Sequence, residues 1–308
     1  MNTFRQLVRR ELWEARSVWV APALLAAILI VGTLIGALWT GSVSLDGLGP
    51  DQAMKLHEKM TPEHLDGIAS LALGFVFALF FLLVMFTQFF YAIDSLYGER
   101  RDRAILFWKS LPVSDAQTVL SKLFVASVVM PLVAVAIALA TQFALFAIAG
   151  AKLASIDLLH GHLWTPSLWG GSVVFMIYIT VAGMLWYLPV IGWCLLVSAW
   201  APRSPLMYAS LAPLGAALGE FLAFHTHHLW TIGIERVKLF GLLSQALGGH
   251  AINHVVIDDE HMNIPSSLIE TMRPGQFLGS VDVWAGVAVG IALVAAAIWI
   301  RRSRDEAG

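Results

Sequence analysis

The sequence predicts an all-α polytopic membrane protein. Its 308 residues are 58% hydrophobic and 13% charged, with a mean hydropathy of +0.75, whereas soluble domains carry about 25% charged residues. The apolar residues form continuous runs rather than an alternating pattern, which excludes a transmembrane β-barrel. Most runs approach or exceed the roughly 20 residues that cross a bilayer as a helix. The uncharged runs are residues 17–45, 67–93, 123–151, 158–202, 204–219 and 283–300.

Six spans account for these runs, and their even number places both termini on one side of the membrane. Thirteen of the 19 Lys and Arg residues fall on that side. The positive-inside bias therefore predicts that both termini and residues 94–122 are cytoplasmic. The run at 158–202 is long enough to cross twice. A second crossing would place the later loops on the opposite side of the membrane and would remove the excess of Lys and Arg on one side, so one span is predicted there. The predicted spans are about 18–40, 68–93, 123–149, 171–199, 206–224 and 282–300.

Residues 1–17 predict an interfacial helix before the first span. Apolar side chains recur on one helical face and arginines stand beside it, which suits a helix lying on the inner membrane surface. The apolar set is Phe4, Leu7, Val8, Leu12 and Ala15, and the arginines are Arg5, Arg9 and Arg16.

Residues 94–122 carry a dense group of charges followed directly by an apolar group. Glu99 and Arg103 are four residues apart and can pair on a helix, so a short charged helix with an apolar end is predicted. Composition leaves two interpretations open: an interfacial helix resting among lipid headgroups, or a surface that docks another protein. Ser114 with Gln117 three residues later predicts a capping box at the start of the third span. The apolar group is Ile105, Leu106, Phe107, Trp108 and Leu111.

Glu220 is an ionisable residue inside an apolar run. It lies about 21 Å along the fifth span, at 1.5 Å per residue, which places it in the outer leaflet region. His227, seven residues later, falls on the same helical face. A carboxylate within a membrane is a candidate functional group, but a structural pair near the water boundary explains the spacing equally well.

Residues 225–281 are rich in Gly and His and predict short helices and loops on the outer ends of the spans. No His-Glu-x-x-His motif occurs, so the zinc protease signature is absent. His250, His254, Asp258 and His261 share one helical face but extend about 16 Å, too far for one ion. His250 and His254 alone have the spacing of a ligand pair, but a solvent-facing role is favoured, and no metal site is predicted.

No internal repeat and no soluble domain interrupt this pattern, so residues 1–308 are predicted to form one membrane domain. The only cysteine, Cys194, lies inside an apolar run, so no intrachain disulfide can form. The net charge of −2 does not indicate nucleic-acid binding, because the basic residues follow membrane topology.

The layout resembles the ABC-2 type permease subunits of bacterial ATP-binding-cassette exporters. The shared features are a surface helix before span one, six spans with both ends inside, a charged helix between spans two and three, and a longer outer segment between spans five and six. The most specific part is Tyr97 to Ser114, which looks like the coupling-helix loop of that family, including Leu111 and Pro112 before the next span. This resemblance implies a location in the bacterial cytoplasmic (inner) membrane.

In that family the loop docks on a separate ATPase subunit, and two permease subunits form the translocation path between them. The resemblance therefore implies a second permease chain, as a homodimer, and two ATPase subunits as partners. It assigns ATPase coupling to Glu99, Arg100, Arg101, Arg103, Phe107, Trp108 and Leu111.

The resemblance also implies that spans one and five meet at the dimer interface. Each of these spans carries a Gly-x-x-x-Gly pattern, which lets helix backbones approach closely, and a third pattern occurs at Gly286 and Gly290. The predicted interface glycines are Gly32, Gly36, Gly215 and Gly219. Span two borders the path in that family, and the predicted path residues are Phe81, Gln88, Glu220 and His227.

None of the six lysines follows a glycine, so the chain lacks the P-loop that holds ATP phosphates. ATP and Mg are therefore expected on the partner ATPase, with no enzyme activity or cofactor on this chain. Two alternatives remain: a non-transporting membrane scaffold or immunity component that recruits an ATPase, and a membrane metalloenzyme that uses the external histidines.

Overall fold

A computed structural model describes residues 3–39, 62–102, 113–153, 163–247 and 267–305. Every regular element within these ranges is a helix, which confirms the predicted all-α fold. Six of the helices are long and apolar enough to cross a membrane, as predicted.

The helices in chain order are α1 (Thr3–Glu14), α2 (Ser17–Trp39), α3 (Pro62–Arg101), α4 (Asp115–Phe124), α5 (Met130–Leu153), α6 (Pro166–Trp186), α7 (Leu188–Trp200), α8 (Pro205–Phe224), α9 (His228–Val237), α10 (Leu239–Leu247), α11 (Pro274–Gly279) and α12 (Val281–Asp305). A π-helical turn at Val125–Val129 joins α4 to α5, and a 3₁₀ turn at Leu268–Thr271 precedes α11. The six spans are α2, α3, α4 with α5, α6, α8 and α12.

The second span is much longer than predicted. Helix α3 has 40 residues, about 60 Å at 1.5 Å per residue, against a hydrocarbon core of about 30 Å. Residues 94–101, predicted as the start of a loop, therefore continue α3, and helix α4 already begins at Asp115. Residues 103–112 between them lie outside the described residues.

The predicted capping box at the start of α4 is confirmed. The Ser114 hydroxyl accepts a hydrogen bond from the backbone N–H of Gln117 at 3.2 Å, and the Gln117 side chain accepts from the Ser114 N–H at 3.4 Å. These two bonds satisfy backbone donors that a helix start otherwise leaves unpaired.

The long run at 158–202 is one helical passage with a kink between α6 and α7. Pro189 has no N–H and cannot bond the carbonyl four residues earlier, which interrupts a helix. The helical pattern continues across the break, because Tyr187 N–H bonds the Gly183 carbonyl and Ile191 N–H bonds the Tyr187 carbonyl, both at 2.9 Å. The passage bends there and does not reverse, in agreement with the single span predicted.

Helix α7 forms the centre of the bundle and packs closely on α12. A Cβ added to Gly192 would lie 2.9 Å from the Gly290 carbonyl oxygen, and one added to Gly290 would lie 2.8 Å from the Leu188 Cγ atom. Only glycine permits so close an approach of two backbones. The third Gly-x-x-x-Gly pattern therefore serves packing within the chain at Gly290.

Helices α2 and α8 lie at the periphery. In the most apolar stretch of each helix, only 11% of the residues of α2 and 6% of those of α8 are buried, against 44% in the span formed by α4 and α5. Their faces carry many exposed apolar side chains, including Leu24, Ile28, Ile35, Leu211, Leu218 and Leu222.

The Arg236 side chain connects helix α9 to the bundle. The Arg236 guanidinium lies 4.1 Å from the centre of the Trp186 ring and donates a hydrogen bond to the Asp282 carbonyl. A side chain at Gly286 would overlap this guanidinium. Arg236 therefore ties α9 to the end of α6 and the start of α12.

Candidate functional site

Buried ion pairs join the ends of four helices. Lys122 Nζ lies 2.8 Å from Glu11 Oε1 and 3.1 Å from Glu99 Oε1. Arg301 Nη1 lies 2.9 Å from Glu99 Oε2, and its Nε lies 2.9 Å from Asp115 Oδ1. We call these five residues the ion-pair network, and it connects α1, α3, α4 and α12.

The network is largely shielded from solvent. Side-chain exposure is 3% for Lys122, 5% for Glu11, and 6% for both Glu99 and Arg301. Charges removed from water to this degree need partners of opposite sign, and here each has at least one. The Tyr91 hydroxyl adds a hydrogen bond to Glu11 Oε2 at 2.8 Å. Removing Lys122 would leave Glu11 buried without a described cation, whereas Glu99 would keep its pair with Arg301.

The network brings α1 and the end of α12 to the same end of the bundle, which we call the terminal end. It also fixes both flanks of the undescribed segment 103–112, because Glu99 precedes that segment, Asp115 follows it, and both bind Arg301. One guanidinium can bridge two carboxylates in this way because its five donors stand in a rigid planar fork.

A cavity of about 1170 Å³ lies beside the network, between α1, α3 and the start of α8. Its wall combines charged side chains, among them Arg16 and Asp94, with the rings of Phe90 and Tyr91. Such a wall suits a ligand or protein segment that has both polar and apolar parts.

Three of the predicted coupling residues are described by the structure, and two of them face the interior. Glu99 faces the interior, and Arg100 does so too, since its Nη2 donates to the carbonyls of Ser198 at 2.6 Å and Ala201 at 2.9 Å. The charges of both residues are bound within the chain, and their coupling to an ATPase stays a prediction. Arg101 is exposed and pairs with Asp102. The remaining predicted residues, Arg103, Phe107, Trp108 and Leu111, lie outside the described residues.

Two predicted path residues on α3 point inward. Phe81 is 8% exposed and packs in the core, and Gln88 donates from Nε2 to the Ala126 carbonyl at 2.7 Å. A π-helical turn disturbs the regular backbone hydrogen bonds, and Gln88 binds the carbonyl of a residue in that turn. Phe81 therefore belongs to the core of one chain, and its role in a substrate path stays a prediction. The outward aromatic face of α3 consists of Phe75, Phe86 and Phe90.

Glu220 lies in the last turns of α8, and His227 lies in the turn between α8 and α9. Glu220 Oε1 accepts hydrogen bonds from the Thr226 hydroxyl at 2.7 Å and the His228 N–H at 2.9 Å. The His227 ring stacks on Phe221 with their centres 4.9 Å apart. This geometry favours the structural interpretation, because the carboxylate satisfies backbone and hydroxyl donors where α9 begins.

The part of the chain that the structure describes contains no group of three or more side chains placed to hold a metal ion. His250, His254, Asp258 and His261, the residues considered for the metalloenzyme alternative, lie outside that part.

The four predicted interface glycines face away from the rest of the described chain. Apart from the two chain neighbours and the nearby backbone of the same helix, no described heavy atom lies within 4 Å of the position that a Cβ would take at Gly32, Gly36, Gly215 or Gly219. The described residues thus use neither pair for close packing within the chain, in contrast to Gly290.

The sequence interpretation missed four members of the network: Glu11, Asp115, Lys122 and Arg301. One signal was present, because Glu11 falls on the same helical face as Leu7 and Ala15 in the predicted interfacial helix. A carboxylate in an apolar face needs a buried partner of opposite charge.

Comparison with protein-family models finds no match for this chain, and no curated protein or solved structure matches it either.

Proposed function

We propose that this chain is the membrane permease subunit of an ATP-driven exporter of the ABC-2 type. It works as a dimer with two separate ATPase subunits in the bacterial cytoplasmic membrane, with both termini in the cytoplasm. One observation carries the proposal: Arg301 holds both flanks of the 103–112 segment through ion pairs, one with the buried Glu99 and one with the 30% exposed Asp115. A loop that transmits force from a partner must be firmly attached to the helices, because a loosely held loop would move without moving the bundle.

The network gives a physical route for coupling. Movement of the 103–112 segment displaces Glu99 and Asp115, and their shared cation carries the displacement to α12. Lys122 passes it from Glu99 to Glu11 on α1. Only Ala15 and Arg16 separate α1 from α2, so the first span follows. The ion pairs resist separation because each charge would remain buried without a partner.

The peripheral helices support a second permease chain as the partner. Helices α2 and α8 present exposed glycine pairs, and such pairs favour close contact between helices in lipid. Helices α8 and α9 also enclose an apolar concavity of about 580 Å³ that includes Gly215 and Phe221. Helix α3 packs beside both α2 and α8, so its outward aromatic face would line the space between two copies.

The proposal is tested by ATPase recovery with a Trp108→Ala variant. If Trp108 docks in an ATPase groove, removing this large aromatic should weaken association roughly thirtyfold or more. Trp13→Ala is the matched control, because Trp13 is 73% exposed on α1 at the same end of the bundle. The measurement is ATPase co-purification at equal permease expression and unchanged membrane insertion.

Arg301→Lys separates docking from coupling in the same assay. Lysine keeps the buried positive charge but lacks the planar fork that bridges Glu99 and Asp115. We expect normal ATPase recovery with the loss of permease-stimulated ATP turnover. Full recovery and normal turnover for Trp108→Ala, Phe107→Ala and Arg101→Glu would contradict the exporter function, and recovery without any stimulated turnover in the unaltered chain would favour the scaffold alternative.

A further inference from the structure

A second cavity, of about 230 Å³, lies inside one chain between α3, α7 and the junction of α9 with α10. Its wall is almost entirely apolar, with Phe86, Phe89, Val190 and Leu239 among the lining residues. An engineered apolar cavity of about 150 Å³ binds benzene. The cavity therefore has room for a molecule of one or two rings.

One polar group in this wall has no partner. Tyr187 is 6% exposed, and its hydroxyl is buried without a hydrogen bond. A buried hydroxyl that makes no hydrogen bond is destabilising and uncommon in folded proteins. The hydroxyl keeps its full capacity to donate to a bound molecule.

Gln88 supplies the complementary group in the same wall. Its Nε2 is bound to the Ala126 carbonyl at 2.7 Å, which fixes the amide and leaves the side-chain oxygen to accept. A hydroxyl group is the simplest ligand chemistry that can accept from Tyr187 and donate to Gln88 at once.

The cavity can be reached from the outer surface of the chain. Phe86 and Val237, both in its wall, are 57% and 60% exposed. Both belong to apolar surface that would face lipid or a second chain. A ligand that enters there must itself partition into an apolar phase.

We propose that this cavity is a binding site for a small lipophilic molecule with a hydroxyl group, of the class of one- or two-ring phenols. The rings fill the apolar volume, and the hydroxyl bridges Tyr187 and Gln88. The site differs from the space between two copies and does not depend on the exporter function, because it is complete within one chain.

The test is saturable binding of 2-naphthol to the full chain in lipid nanodiscs, measured by equilibrium dialysis against empty nanodiscs. Tyr187→Phe keeps the ring and removes the hydroxyl, so affinity should fall roughly three- to tenfold. Tyr178→Phe is the matched control and should bind normally, because the Tyr178 hydroxyl bonds the Ala246 carbonyl at 2.7 Å and does not line this cavity. Naphthalene, which lacks the hydroxyl, should compete weakly.

A second variant keeps the proposal testable if the tyrosine change disturbs folding. Val237→Trp adds bulk at an exposed position of the wall and should abolish saturable binding, whereas Val174→Trp on the exposed face of α6 should not. The proposal would be overturned if naphthalene competed as well as 2-naphthol, or if Tyr187→Phe bound 2-naphthol as tightly as the unaltered chain. Binding would then not use the hydroxyl group, and the cavity would accept any apolar group, such as an acyl chain. Absence of saturable 2-naphthol binding would overturn it outright.

Discussion

Replacing Lys122 with methionine tests whether the ion-pair network holds the bundle together. Methionine keeps much of the length of the side chain and removes its charge. Glu11 and Glu99 then lose the cation that lies 2.8 and 3.1 Å from their oxygens, and both side chains are about 95% buried. Breaking a buried pair by removing one partner destabilises a protein by about 3–5 kcal/mol. A chain of this size should then unfold roughly 6–10 °C lower.

The single cysteine provides the assay. Cys194 is fully buried but borders the cavity of about 230 Å³, so a fluorogenic maleimide too bulky for that cavity reacts with it only as the core opens on heating. Lys238→Met is the matched control: it makes the same chemical change at an exposed lysine and should shift the midpoint by about 2 °C or less.

A double variant sharpens the result. Lys122→Met combined with Glu11→Gln removes a charge from each side of the pair, so it should be more stable than Lys122→Met alone. A midpoint for Lys122→Met within about 2 °C of the unaltered chain would refute the reasoning, because no uncompensated buried charge has so small an effect.

Two further outcomes concern the glycines. Gly290→Val should destabilise the chain strongly in the same thermal assay, because its Cβ would lie 2.8 Å from the Leu188 Cγ atom. Gly215→Val should leave the stability of the monomer unchanged, because no described atom outside the same stretch of helix lies near its Cβ position. Gly36→Leu with Gly215→Leu should reduce the crosslinked dimer fraction by separating the two backbones, and an unchanged fraction would place the dimer contact elsewhere.

Features set by neighbouring residues were predicted accurately. Six apolar runs became six long helices, and Ser114 and Gln117 formed their capping box. Both outcomes depend on residues within one turn or one run, so no knowledge of the fold is needed. The interruption at Tyr187 was not predicted, although Pro189 two residues later is a local signal for it.

Features set by distant residues were not predicted. The local pattern suggested that Glu99 pairs with Arg103, yet one of its observed partners, Arg301, is 202 residues away. The same limit applies to the burial of Phe81. Phenylalanines occur on all sides of α3, so only its neighbours in the bundle decide that Phe81 is buried while Phe75 and Phe86 face outward.

The position of Arg301 in the chain has a consequence for biosynthesis. The ribosome releases α1, α3 and α4 before α12, so Glu99 and Asp115 reach the membrane before the cation that they share. A nascent chain therefore carries incompletely neutralised carboxylates at the terminal end until its last described span inserts. Until α12 is made, Glu99 and Asp115 lack Arg301, so the ion-pair network can form in full only after α12 has been synthesised.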